Sequence, residues 1–367
     1  MLTIRDVKIG GDSPCFIIAE IGQNHQGDVE IAKRMIEKAK ECGVSCVKFQ
    51  KSSLPDRFTQ SALDAPYIGE NSFGKTYGKH RAHLEFSHEE FKMLQEYAEQ
   101  TVGIMFTASC MDISFVINVS HDAPTTIAVC GFLAQHWSAF HQRDTNNPLL
   151  IEHVAKLGLP IVLSTGMADF DTVCSAHKIL KKNNSTFALL HCVSAYPTPP
   201  EDVNLAVIQL YKSRFPDVPM GYSGHEEGIV IAIAAVAFGA KIIEKHFTLD
   251  KTMKGTDHPC SLNPKEMKEL VAGIRKVEAA VGKPIKSFLP SEVACNTKLG
   301  KTIVSRKDIE KGALISISDI SIKVSRPPGL QPKYLKSILG CRATQKIPND
   351  TPITKEDVDL DNSPMSQ

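Results

Sequence analysis

Residues 218–249 read VPMGYSGHEEGIVIAIAAVAFGAKIIEKHFTL. Two short apolar runs, 218–225 and 241–249, flank an alanine-rich helical stretch at 228–238. A short apolar run, a helix and a second apolar run make a βαβ unit, whose two strands must lie parallel. The same alternation continues upstream. Apolar runs at 15–22, 46–50, 104–109, 125–132, 160–166 and 187–194 bring the expected strands to eight. Helical patterns fill 28–41, 87–100, 149–157, 201–214 and 264–281, and Ser87-x-x-Glu90 reads as a capping box opening one of them. Eight strand–helix units in about 250 residues predict an α/β fold, a (β/α)8 TIM barrel.

The texture changes near Ser287. From Leu299 onward short β-like runs (302–305, 320–324) alternate with the turn signals Glu310-Lys-Gly, Arg326-Pro-Pro-Gly and Pro348-Asn-Asp. The expected division is a barrel over 1–285, a linker over 286–298 and a small β-rich domain over 299–360. Residues 361–367 are expected to fray.

The bulk properties narrow the partners. The chain has 367 residues, 23% charged, with a formal net charge of +1. That charge gives no reason to expect a nucleic acid or a membrane surface as partner, so any anion selectivity must be local. No apolar run is long enough to span a bilayer, and the N-terminus lacks a signal-peptide core, so the expected compartment is the cytosol. The ten cysteines form no CxxC pair and read as small buried hydrophobes.

In such a barrel, chemistry sits at the C-terminal ends of the strands. Seven of the eight expected strands end there in polar groups. These are Glu20 and the Gln23–Gly27 loop, Lys48 with Gln50, Thr107 with Ser109, Ser164-Thr-Gly, His191 through Ser194 to Tyr196, Ser223 with His225, and Glu244-Lys-His246 followed by Asp257. Solvation alone would scatter polar groups over both poles. Lys48 shares its facing with buried Cys46, which points it inward toward an anion. His225 and His246 end consecutive strands, and neutral imidazoles at convergent positions suit a divalent metal. Glu20, inside an apolar strand, is either salt-bridged to Lys48 or functional, because an unpaired buried carboxylate is costly. His191 reads equally as a structural partner. His80, His83 and His88 look like surface residues.

Taken together, FIIAEIGQNHQGD (16–28), CVKFQKS (46–52), SFGKTYGKHRAHLEFS (72–87), LSTGM (163–167), HCVSAYPTPPEDVNL (191–205), GYSGHEEGI (221–229), EKHFTLDKTMKGTDHPCSL (244–262) and LGKTIVSRKDIEKG (299–312) resemble the sialic acid synthases. The small C-terminal domain resembles the antifreeze-like (SAF, β-clip) domain that follows the barrel in that family. Stretches such as GKTYGKHR and HCVSAYP resemble the animal branch, which uses the 6-phosphorylated sugar. The resemblance implies a condensation. Phosphoenolpyruvate adds through C3 to the aldehyde of N-acetylmannosamine or its 6-phosphate, and phosphate leaves by C–O cleavage to give N-acetylneuraminate or its 9-phosphate. It further implies a divalent metal, Mn or Mg, held by His225 and His246 as a Lewis acid. Lys48, Ser164 and Ser223 grip the phosphate, with Thr107 and Ser194 beside it. Glu20 stabilises the cationic intermediate or manages protons on the attacking water. Gln50, Tyr196 and Asp257 match sugar-binding positions. Arg326 matches an arginine that reaches the neighbouring subunit's site, which implies a homodimer; a solvated turn residue would read the same way.

One stretch departs from the family. Between Asp112 and Asp144 the family carries a Phe-x-Lys-x-Gly-Ser-Gly strand that helps hold phosphoenolpyruvate. Here residues 113–143, ISFVINVSHDAPTTIAVCGFLAQHWSAFHQR, contain neither the lysine nor Gly-Ser-Gly. Three readings follow: a synthase for the phosphorylated sugar, one for the unphosphorylated sugar, and a catalytically impaired relative. Lys75, Lys79 and Arg81 are candidates for binding a sugar phosphate, or else form a solvated basic loop.

Overall fold

The computed structural model describes residues 1–112, 138–140 and 145–360. It divides into two compact units, Met1–Gly282 and the chain from Lys283 onward. The first unit opens with an antiparallel hairpin, β1 (Leu2–Ile4) and β2 (Val7–Ile9). Eight parallel strands follow and close into a barrel: β3 (Phe16–Gly22), β4 (Cys46–Lys51), β5 (Met105–Cys110), β6 (Ser138–Phe140), β7 (Ile161–Ser164), β8 (Phe187–Cys192), β9 (Met220–Gly224) and β10 (Ile242–His246), with β10 pairing back on β3.

The expected fourth strand is a correction. Residues 125–132 lie outside the described residues, and the strand between β5 and β7 is Ser138–Phe140. It pairs Ala139 with Ser109 on one side and Ser138 with Ile161 on the other. An apolar run marks a strand only where the register lets it reach both neighbours, and here the later stretch does so.

Crossover helices form where the sequence caps them. Asp28 accepts hydrogen bonds from the backbone of Glu30 and Ile31 to open Val29–Cys42. Ser87 and Glu90 close the expected capping box of His88–Glu96, and Asn263 with Glu266 forms another ahead of Pro264–Val281. A helix at Phe170–Lys182 escaped the periodicity reading; Asp169 caps it. Short helices Leu54–Arg57, Gln60–Leu63 and Tyr77–Leu84 fill the connection after β4 and overhang the barrel mouth.

Strand alternation sorts the side chains into two cores. Ile17, Ala19, Ile21, Val47, Phe49, Phe106, Ala108, Leu189 and Ile243 face the helices. The opposite set faces the barrel axis, and its chemistry changes along the strands. At the N-terminal pole it is apolar: Phe16, Ile18, Cys46, Val162, Ala188, Leu190 and Ile242 pack under a plug made by Leu2, Ile4 and Ile9 of the hairpin. Toward the C-terminal pole the same inward positions become Glu20, Lys48, Thr107, Ser109, Ser164, Ser223, Glu244 and His246, all buried. Gly221 has no room for a side chain: a Cβ there would stand 2.3 Å from Leu190 and 2.7 Å from the Ile242 carbonyl.

In the second unit, β11 (Lys301–Ser305) pairs antiparallel with β12 (Ile320–Val324) over a core of Ile303, Ile309, Ile315, Ile338, Ile347 and Ile353. The stretch 286–298, read as linker, carries a 3-10 turn and most of the helix Val293–Leu299.

Candidate active site at the barrel mouth

The floor of the mouth is a charged cluster. Lys48 Nζ lies 3.0 Å from Glu20 and 2.7 Å from Glu244, with all three side chains buried. Neighbouring strands place them: Glu20 pairs in register with Lys48 on β4 and with His246 on β10. Gln50 Nε2 donates to Glu20 at 3.2 Å, and Ser223 Oγ donates to Glu244 at 2.9 Å. Both readings of Glu20 therefore meet in one geometry: it is salt-bridged and sits in the cluster. Glu244 was missed as a site residue. The signal was present, since a carboxylate two residues before His246 on a buried strand must face the same way. One ammonium against two carboxylates leaves the cluster at +1 − 2 = −1. Gly22, at φ +57°, brings the backbone against it; a Cβ there would come within 3.2 Å of both Gln50 and Glu20.

The two histidines meet above this floor, their ring centroids 5.2 Å apart. Burial, then the neighbouring His246, holds the His225 imidazole well below its ordinary value. Burial, then the Lys48 charge, brings His246 down to about 3. Both are neutral at pH 7 and carry lone pairs. His225 Nδ1 lies 3.1 Å from the Val193 carbonyl, which makes it the donor and leaves Nε2 as the lone-pair nitrogen. His246 Nδ1 is buried and lacks a hydrogen-bond partner among the described residues. This donor set fits a divalent ion through two imidazoles. No group of three or more His, Cys, Asp or Glu side chains that could hold one is present among the described residues.

Inward hydroxyls surround the cluster. Thr107 and Ser109 are fully buried, and their oxygens have no partner among the described residues. Buried polar atoms are usually paired, so such orphans in a polar cavity point to a ligand. Ser109 was placed at the rim from the sequence but given no role. Ser164 is buried on the same side, and Ser194 is half-buried. Tyr196 stands over His225 at 4.4 Å. It joins Gln50 and Asp257 in lining a cleft of about 360 Å³ that rises from the floor between the β4 and β10 loops. Asn24, in the loop after β3, ties that loop to the one after β10, donating to the Phe247 carbonyl and to Ser261 at 2.8 Å each.

Four other histidines resolve. His191 faces the helices and binds the Val203 carbonyl at 2.6 Å, the structural alternative. His80, expected at the surface, is buried in the cleft wall against Tyr67, where its Nδ1 accepts from the Phe73 amide. The aromatic loop packed over it supplies the burial. His83 is exposed, as expected, and His88 is partly so. Arg326 lies in the second unit, exposed beyond β12.

A closed (β/α)8 barrel with a carboxylate–ammonium–imidazole cluster at its C-terminal mouth defines a barrel enzyme for a small polar substrate. The sequence matches the NeuB family over residues 35–286 and the SAF domain over residues 300–359. It is 49% identical over 351 residues to N-acetylneuraminate-9-phosphate synthase of Homo sapiens, covering 96% of this chain and 94% of that one. The protein of that name from Drosophila melanogaster is 41% identical, with coverage of 92% and 94%. Among solved structures, the N-acetylneuraminic acid (sialic acid) synthetase of Leptospira borgpetersenii, crystallised with citrate, superposes with a TM-score of 0.68 at 35% identity, covering 79% of this chain and 93% of that one. The chain belongs to the NeuB family of sialic acid synthases, which are condensing transferases, and carries a SAF domain.

Proposed function

We propose that the chain condenses phosphoenolpyruvate with N-acetylmannosamine 6-phosphate to give N-acetylneuraminate 9-phosphate and inorganic phosphate. The observation that carries this reading is 49% identity along 96% of the chain to a synthase of that name. The convergence of Glu20, Lys48, Glu244, His225 and His246 at one mouth supports it.

The phosphate of phosphoenolpyruvate accepts hydrogen bonds from Lys48 and from the Thr107, Ser109, Ser164 and Ser194 hydroxyls, and the Ser223 hydroxyl joins them only by exchanging its bond to Glu244 for one to the phosphate. Glu244 holds Lys48 and Ser223 in place. Gln50, Tyr196 and Asp257 orient the open-chain sugar so that its aldehyde carbon faces C3 of phosphoenolpyruvate. A C–C bond forms between those carbons, and the aldehyde oxygen takes a proton. Glu20 faces the cationic C2, steadies its charge and takes the proton of the water that adds there. Phosphate then leaves by cleavage of the C2–O bond. His225 and His246 would hold a divalent ion, Mn or Mg, which when bound supplies Lewis-acid polarisation of the aldehyde oxygen. The chain acts in the cytosol as a homodimer, with Arg326 reaching the neighbouring barrel; no helix among the described residues is long and apolar enough to cross a membrane.

A second reading rests on residues 113–143, which lack the lysine and Gly-Ser-Gly of the family. It makes the chain a folded relative with impaired catalysis. Phosphate release with phosphoenolpyruvate, Mn²⁺ or Mg²⁺, and each sugar in turn separates the readings. Release with the 6-phosphate supports the proposal. Release with only the unphosphorylated sugar shifts the acceptor. No release with either, from a folded chain, supports impairment.

A further inference from the structure

The cleft above the cluster also carries cations that the condensation chemistry does not use. Its wall carries three cations, Arg57, Arg81 and Lys254, against one carboxylate, Asp257: 3 − 1 = +2, in a chain whose whole formal charge is +1. Charge this concentrated is a local device rather than a general field.

Two loops build this part of the wall. Arg57, Tyr67, Phe73, Tyr77, His80 and Arg81 come from the connection after β4, and Lys254 through Asp257 from the connection after β10. The Gly255 amide donates to Asn71 at 3.1 Å between them, and Gln26, from the loop after β3, donates to the Lys254 carbonyl at 2.6 Å. Lys254 Nζ sits 4.7 Å over the Phe73 ring. Arg81 is buried; it donates to Gln23 Oε1 at 2.6 Å and pairs with Glu85 at 3.3 Å. That first bond fixes the Gln23 amide with Nε2 as a donor. Both Gln23 Nε2 and Arg81 Nε are buried without a hydrogen-bond partner among the described residues. Two orphaned donors beside three cations make a site for a dianion.

We propose that this cationic part of the cleft binds the phosphomonoester of the acceptor sugar, and that Arg57, Arg81 and Lys254 set the preference for a phosphorylated acceptor. The inference rests on the reading of the cleft as the acceptor site. Gln50 and Tyr196 line the same cleft where it meets Glu20 and His225, so a sugar with its aldehyde at that end directs its far terminus toward the cations. The aromatic rings of the wall offer faces to the sugar chain. Lys75 and Lys79, the other basic residues of this loop, are exposed and absent from the cleft wall.

The test compares kcat/KM for N-acetylmannosamine 6-phosphate and N-acetylmannosamine in the full chain with Mn²⁺. Arg57→Leu and Lys254→Met should each lower the phosphorylated-to-unphosphorylated ratio, on the order of 10-fold or more. Lys75→Met and Lys79→Met should leave it in place. Calorimetric binding of the two sugars to wild type and variants gives a readout that needs no turnover. If wild type releases no phosphate with either sugar, the proposed reaction fails, yet calorimetric selectivity lost in Lys254→Met still upholds the phosphate site. An unmoved ratio in both cleft variants, or an equal shift in the Lys75 and Lys79 controls, overturns it.

Discussion

Lys48 and Lys245 are both buried and both ion-paired, yet they face opposite sides of the barrel wall. Lys48 lies between Glu20 and Glu244 at the base of the cleft. Lys245, flanked by Glu244 and His246, points outward and is sealed against the loop after β9. There it bonds the Glu226 carbonyl at 2.5 Å and its carboxylate at 3.2 Å, while Tyr222 donates to the same carboxylate at 2.6 Å. Burial pushes the Lys245 ammonium below its ordinary value, and Glu226 pulls the other way. The outer group is held by the backbone and carboxylate of one residue, Glu226, and anchors the neighbour of His225. The inner one carries an excess carboxylate and is ringed by orphaned hydroxyls. We propose that the outer charge serves the fold and that the inner one is completed by a ligand.

That contrast can be broken most forcefully at the outer pair. Lys245→Met leaves Glu226 buried without its cation and should cost about 3–5 kcal/mol of stability. Thermal unfolding should show this, and Glu226→Gln in the same chain should recover much of it. Lys48→Met should act the other way. Phosphate release should fall on the order of 10²–10³-fold, with a smaller drop in Tm, because Gln50 and Ser223 still donate to the two carboxylates, which can share a proton once the ammonium is gone. If Lys48→Met unfolds the chain as readily as Lys245→Met, the two lysines have the same job. Thr107→Val and Ser109→Ala should each raise the KM for phosphoenolpyruvate by about fivefold, a loss of one hydrogen bond apiece, with little change in stability.

The smallest effect belongs to the second unit. Lys307, at 2.6 Å, and Ser316 hold the Asp319 carboxyl at about 2, below its ordinary 3.8. A carboxyl lowered in this way stabilises the fold in full above pH 3.8, and the contribution disappears as pH falls through about 2. Asp319→Asn should cost about 1 kcal/mol at neutral pH, and its unfolding curve should converge with that of wild type in acid.

Most of the barrel was legible because strand length, apolar runs and caps agree locally. The run at 187–194 became Phe187–Cys192, and the helix 264–281 opens at Pro264 behind its capping asparagine. The fourth strand was not legible: three residues, Ser138–Phe140, carry too little pattern to outweigh the more apolar 125–132. Within the site, Glu20, Lys48, His225 and His246 declared themselves by polarity inside apolar strands. Glu244 and Ser109 show the same period-two facing and were placed at the rim, but neither was assigned a role there. His80 misled because its burial comes from Tyr67 and Phe73 in an irregular loop, and no periodicity records that.

The central claim is that this mouth joins phosphoenolpyruvate to a sugar aldehyde and expels phosphate from C2. Turnover of phosphoenolpyruvate labelled with ¹⁸O in its bridging C–O–P oxygen, in the presence of N-acetylmannosamine 6-phosphate, tests it directly. The account predicts that the label leaves with inorganic phosphate. Label retained in the nine-carbon acid, which would mean P–O cleavage, would contradict it.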